Sequence, residues 1–174
     1  PGLPLPVPVH RLVLNDVGPV IQWEALERIG QYLGQPVRFA SEQQAADMLW
    51  SLSTSFGPHT PQQWLELTRP MLRALPGGGW GLHYDPAIAV PFRTLTPEAA
   101  VAGEAMLWRL YDQIQARTLL LRGAQSDLLS HATALAMGQR GPRARLVEWD
   151  GVGHAPTLVA ADQVAVVASF LLDV

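Results

Sequence analysis

The sequence predicts an α/β fold built on a parallel sheet, and three observations predict it. Strand-like and helical patterns alternate through the last third of the chain. Two of the three strand-like runs are almost unbroken in aliphatic residues, as strands covered on both faces are. A chain of 174 residues with 48% hydrophobic and 16% charged side chains fits one globular body. Strand, helix, strand, helix in sequence argues for a right-handed crossover between parallel neighbours.

The first strand is Arg11-Leu12-Val13-Leu14-Asn15. From about residue 21 to 100 only helical pattern follows, broken at Gly57-Pro58, at Pro76-Gly77-Gly78-Gly79 and at Asp85-Pro86, which reads as a helical insertion. Ser41 with Gln44 and Thr60 with Gln63 match capping boxes, and Pro61 and Pro97 take the first helical position after Thr60 and Thr96. Thr118-Leu119-Leu120-Leu121-Arg122 is the second strand. A helix over 130–139 stops at Gly141-Pro142. The third strand, Ala144-Arg145-Leu146-Val147-Glu148-Trp149, alternates enough to sit nearer an edge. The last helix, 161–172, sets Val164, Val167, Ala168 and Leu171 on one face.

Three buried strands cannot cover the helices packed on them, so the chain is expected either to oligomerise or to belong with further strands. The proline-spaced start, Pro1-Gly2-Leu3-Pro4-Leu5-Pro6-Val7-Pro8, runs into a buried-type strand without an initiating Met, and favours missing upstream strands. On that reading the isolated chain is expected to be poorly soluble or molten, with an open sheet edge.

Composition excludes several chemistries. There is no Cys, hence no disulfide, thiolate metal site or Cys nucleophile, and all 12 basic residues are Arg, which rules out a lysine Schiff base and a P-loop lysine. The net charge of −3 and dispersed Arg residues give no footprint for nucleic acid. No apolar run approaches the ~18 residues of a membrane span. No address label is present, and a cytoplasmic location is expected.

Two strand-end loops carry chemistry. The second strand runs into Gly123-Ala124-Gln125-Ser126-Asp127-Leu128-Leu129, the third into Asp150-Gly151-Val152-Gly153-His154-Ala155-Pro156. Open α/β sheets build their sites beyond such strand ends. Asp127 and His154 are therefore expected to meet, the carboxylate orienting the imidazole and the other ring nitrogen serving as base. Asp16, after the first strand, is the competing carboxylate; Asp127 is preferred for its place in the chain order acid, then base. His83 and Asp85 lack the companions of a metal site, so neither a metal nor a cofactor is expected. His10, His59 and His131 read as surface or capping residues, and Trp23, Trp50, Trp64 and Trp108 as packing residues. Trp80, His83, Tyr84 and Phe92, in the irregular part of the insertion, and Leu128, beside Asp127, are the expected wall for an apolar small-molecule substrate.

The segments RLVLNDVGP (11–19), LHYDPAIA (82–89), LLLRGAQSDLL (119–129) and GVGHAP (151–156) together resemble bacterial capped α/β-hydrolase fold proteins over nearly the whole chain. The resemblance implies that 1–20 holds the sixth strand of the family's sheet, 21–100 the helical cap, and 101–174 the last two strands with Asp127 as acid and His154 as base. The family's nucleophile elbow, Gly-x-Ser-x-Gly, has no match: none of Ser41, Ser51, Ser53, Ser55, Ser126, Ser130 or Ser169 is flanked by glycines at both elbow positions. The expected activity is therefore ester hydrolysis by a Ser-His-Asp triad whose serine lies upstream, in the same chain or in trans, with the 174 residues inactive alone. An upstream aspartate nucleophile would instead make a dehalogenase or epoxide hydrolase. A chain complete as given would be a non-catalytic binding module.

Overall fold

The sheet forms around β4 (Arg117–Gly123), whose Leu119, Leu120 and Leu121 have no exposed surface. The computed structural model describes residues 8–173, so the proline-spaced start lies outside the described residues. β1 (Arg11–Asn15) pairs parallel to β4 on one side, Leu12 opposite Thr118 and Asn15 opposite Leu121. β5 (Arg145–Trp149) pairs parallel on the other, Leu119 opposite Arg145 and Gly123 opposite Trp149. The order is thus β1-β4-β5, and the three carboxyl ends lie along one edge of the sheet.

Side chains of β4 alternate between two apolar layers, as the pleat requires. Leu120 packs with Leu129, Ala134, Met137 and Tyr111. These come from the loop after β4, from α5 (His131–Gln139) and from α4 (Pro97–Asp112). Leu119 and Leu121 face the other way, onto Phe170, Val166 and Val167 of α6 (Ala161–Leu172). The buried Tyr111 hydroxyl donates to the Met137 carbonyl at 2.7 Å, which satisfies the phenol and ties α4 to α5.

Between β1 and α4 lie α1 (Trp23–Tyr32), α2 (Glu42–Leu52) and α3 (Pro61–Thr68). The starts of α2 and α3 follow the capping signals: Ser41 accepts from the Gln44 N–H, and Thr60 and Gln63 cap each other reciprocally. Trp64 of α3 is buried against α2 and donates to the Ala46 carbonyl at 2.8 Å, with the tilted ring of Trp50 beside it at 6.1 Å between ring centroids. The insertion is not wholly helical, which corrects the sequence reading. It contains an antiparallel hairpin of β2 (Leu72–Ala74) and β3 (Trp80–Leu82). Gly77, Gly78 and Gly79 close it with positive φ of 81°, 88° and 76°, the left-handed region that a side chain disfavours. Strands of three residues are too short for a period of two to show in sequence. The boundary drawn at residue 100 also falls inside α4.

Apolar side chains stay uncovered on α4, where Val101, Met106 and Leu110 are 64%, 56% and 51% exposed. Among the described residues no helix is long and apolar enough to cross a membrane.

Candidate active site

The β1 strand ends in Asn15, and the next residue turns inward. Asp16 has φ 54°, in the left-handed region that Asp tolerates better than most residues, and its N–H donates to the Leu121 carbonyl at 2.8 Å. This extends the β1–β4 pairing by one step and drives the carboxylate into the sheet edge, where Asp16 has no exposed surface. On the neighbouring loop His154 sets its Nδ1 2.7 Å from Asp16 Oδ2. The partner fixes the tautomer: Nδ1–H donates to the carboxylate, and Nε2 is left with its lone pair. Nε2 has no hydrogen-bond partner among the described residues, and His154 lines the cavity described below.

A third loop completes the arrangement. Ser126 Oγ donates to the same Asp16 Oδ2 at 2.6 Å and accepts the N–H groups of Leu128 and Leu129, each at 3.2 Å. Two donors thus converge on one carboxylate oxygen; Asp16 Oδ1 is buried with no partner among the described residues. The loop that carries Ser126 is held by the buried Arg122, which donates to the carbonyls of Leu129 at 2.8 Å and Ser126 at 3.4 Å and to the Glu148 carboxylate at 2.6 Å. Burial pushes the Glu148 carboxyl up, but hydrogen bonds from His131 and Arg122 outweigh it and leave its pKa below the ordinary value.

The loop that carries His154 is clamped from both sides. Asn15 Nδ2 donates to the Pro156 carbonyl at 2.9 Å, and the Gly153 N–H donates to the Ser55 carbonyl of the insertion. Phe56 lies against the His154 ring, 6.0 Å between centroids. His59 bridges the Gly57 carbonyl and the Thr157 hydroxyl, at 2.9 and 2.7 Å, so it is a brace between the insertion and the segment after His154 and not a mere surface residue.

The structure brings Asp16, not Asp127, onto His154. Asp127 sits one residue past Ser126, with its side chain 53% exposed and paired to Arg28 of α1. Above His154 a cavity of about 610 Å³ opens between sheet edge and insertion, within the range of small-molecule sites. Its walls are mostly apolar, from Leu33, Phe39, Leu49, Leu52 and Phe56 among others, and Tyr84 and Leu128 are part of them. Trp80, His83 and Phe92 do not line it. Trp80 belongs to the small core of the hairpin with Phe39 and Leu72, His83 faces solvent, and Phe92 packs against α1 at Gly30. No group of three or more His, Asp or Glu able to hold a metal occurs among the described residues.

Ser126→Ala is expected to destabilise the fold by about 2–3 kcal/mol, because it removes one donor to a buried carboxylate and the acceptor of two backbone N–H groups. Ser126→Thr keeps the hydroxyl and should recover most of that loss. Urea unfolding midpoints of the two variants are the check.

No family model matches the chain. It is 51% identical over 172 residues to a 3-hydroxybutyrate-oligomer hydrolase of Cupriavidus necator, an alignment covering 97% of this chain and 58% of that protein. Among solved structures, an α/β hydrolase of Novosphingobium aromaticivorans is 36% identical and superposes with a TM-score of 0.77 over 93% of this chain and 56% of that one. An esterase of Mycobacterium tuberculosis, at 22% identity, shares the fold with a TM-score of 0.61, over 94% of this chain and 52% of its own. The chain therefore spans between half and three fifths of the proteins it matches. The sheet order, the loops of Asp16 and His154 meeting at its carboxyl edge and these likenesses agree: the chain has the α/β-hydrolase fold and corresponds to the carboxyl-terminal portion of it.

Proposed function

We propose that this chain supplies the acid and base of an ester hydrolase, with Asp16 as the acid, His154 as the base and the nucleophile on an upstream part of the fold. The observation that carries the reading is the geometry at His154: Nδ1 held at 2.7 Å by a fully buried carboxylate, Nε2 unengaged at the floor of an apolar cavity. In that arrangement Nε2 takes the proton of a nucleophilic hydroxyl as it attacks an ester carbonyl, and returns it to the departing alkoxide. Asp16 holds the ring in the productive tautomer and stabilises the imidazolium. A second cycle, with water in place of the hydroxyl, releases the acyl group. The likeness to the 3-hydroxybutyrate-oligomer hydrolase supports esters of short hydroxy acids as the substrate class, ahead of the alkyl halides or epoxides that an upstream aspartate would serve. The exposed apolar face of α4 and the outer edge of β1 suit contact with the upstream strands.

The test uses the protein that contains this segment. It is expected to hydrolyse the linear dimer of 3-hydroxybutyrate and to be labelled by a fluorophosphonate probe on a serine outside these 174 residues, whereas the 174-residue chain alone does neither. A label on Ser126 or any other serine of this segment would overturn the assignment, as would absence of ester turnover.

A further inference from the structure

One charged pair in the cavity is not used by the acid and base. Arg28 and Asp127 face each other on its wall, from α1 and from the loop after β4. Arg28 is the sole Lys or Arg among the residues that line it. The pair contributes little to folding, since both side chains are more than half exposed, at 54% and 53%, and water screens exposed ion pairs. What the contact does is hold the guanidinium in place. A single terminal nitrogen of Arg28 is spent on Asp127 Oδ2; the remaining donors have no partner among the described residues. The hydrogen bond to Asp127 also raises the guanidinium pKa above its ordinary value, so the positive charge is constant.

A fixed cation with free, coplanar donors on a mostly apolar wall selects for a planar anion, because a guanidinium matches a carboxylate through two parallel N–H···O bonds. Resting on the ester-hydrolase reading, we propose that Arg28, braced by Asp127, is a specificity residue that binds the free carboxylate of the substrate. The ligand class is then an ester of a short aliphatic acid that ends in a carboxylate, its chain lying along the apolar wall and its ester at His154. Asp127 thereby has a role on the cavity wall that does not require it to touch His154. Its like charge also disfavours a carboxylate placed anywhere but on the free side of the fork.

The experiment compares two substrates in the intact protein, the linear 3-hydroxybutyrate dimer as free acid and the same dimer capped as its methyl ester. For Arg28→Gln the ratio of kcat/KM for free acid over capped ester is expected to fall about tenfold to a hundredfold, mostly through KM for the free acid. Arg28→Lys, which keeps the charge without the fork, should fall between. A ratio unchanged in Arg28→Gln overturns the proposal and leaves the hydrolase reading intact. Calorimetric binding of butyrate against butyramide supplies a readout that needs no turnover. Butyrate should bind the unaltered protein and lose that binding in Arg28→Gln, while butyramide is indifferent to the change. If neither dimer is hydrolysed, the hydrolase reading fails, and the butyrate arm alone decides whether Arg28 is an anion site. Equal butyrate binding by both proteins counts against it.

Discussion

Asp16→Asn is expected to lower kcat for the proposed ester hydrolysis by the intact protein by about 10⁴-fold, with the fold retained, while Asp127→Asn lowers it by less than about tenfold. An amide at position 16 presents either a donor or a neutral acceptor to His154 Nδ1. In the first case it forces the wrong tautomer, with the proton on Nε2, and in the second it no longer stabilises the imidazolium. Both failures act on the transition state, so kcat and kcat/KM should fall together and KM change little. Asp127 has neither lever on the imidazole, since its carboxylate is half exposed and bonded to Arg28. Steady-state rates of the two variants on the methyl-capped dimer separate the assignments, because that substrate carries no anion for Arg28. The reverse order of effects, Asp127→Asn crippling and Asp16→Asn mild, would return the acid to the loop after β4.

Asp16 and Asp127 show where sequence reading reached and where it stopped. β1, β4 and β5 were legible because aliphatic runs such as Leu119-Leu120-Leu121 have few alternatives to a strand covered on both faces. Once those strands are parallel neighbours, the residues after Asn15, Gly123 and Trp149 must gather at one edge. Which of two carboxylates there turns inward depends on a single backbone step. The Asp16 N–H continues the ladder onto Leu121, whereas the turn closed by the Ser126 N–H on the Gly123 carbonyl points Ser126 inward and Asp127 outward. Adjacent positions of a tight turn carry no periodicity that reveals direction. Chain order alone therefore favours Asp127, and nothing in it marks the neighbouring Ser126 as a partner of Asp16. The aromatic wall misled for a similar reason: a three-residue strand hid the hairpin that takes Trp80 into its own small core. His154 needed no such resolution, because it lies on the loop beyond the carboxyl end of β5, and Gly123 and Gly153 let the backbone of that loop come close to its neighbours.

That approach sets up a substitution whose sign depends wholly on place. At Gly123, the last residue of β4, a Cβ would stand well inside van der Waals contact of the Val152 and Gly153 carbonyls, backbone atoms of the loop that carries His154. Those atoms cannot step aside as a side-chain end could, because the Val152 carbonyl accepts from Gln125 at 2.9 Å and Gly153 is itself tied to Ser55. Gly123→Ala must therefore push the β4 end and the base loop apart. The expected cost is about 3 kcal/mol of stability, comparable with overpacking a core. A displacement of His154 by about 1 Å from the Asp16 carboxylate should cost a further 10²-fold in kcat. Gly138→Ala, near the end of α5, is the matched comparison. A Cβ there meets only the Ala144 carbonyl at 3.5 Å, an ordinary contact, its backbone is helical, and alanine should stabilise by about 0.5–1 kcal/mol. Urea unfolding midpoints and ester turnover of the two variants read both effects. If Gly123→Ala matched Gly138→Ala in both, the close contact between β4 and the base loop could not be what positions His154, and the clamp would have to rest on Asn15 and Ser55 alone.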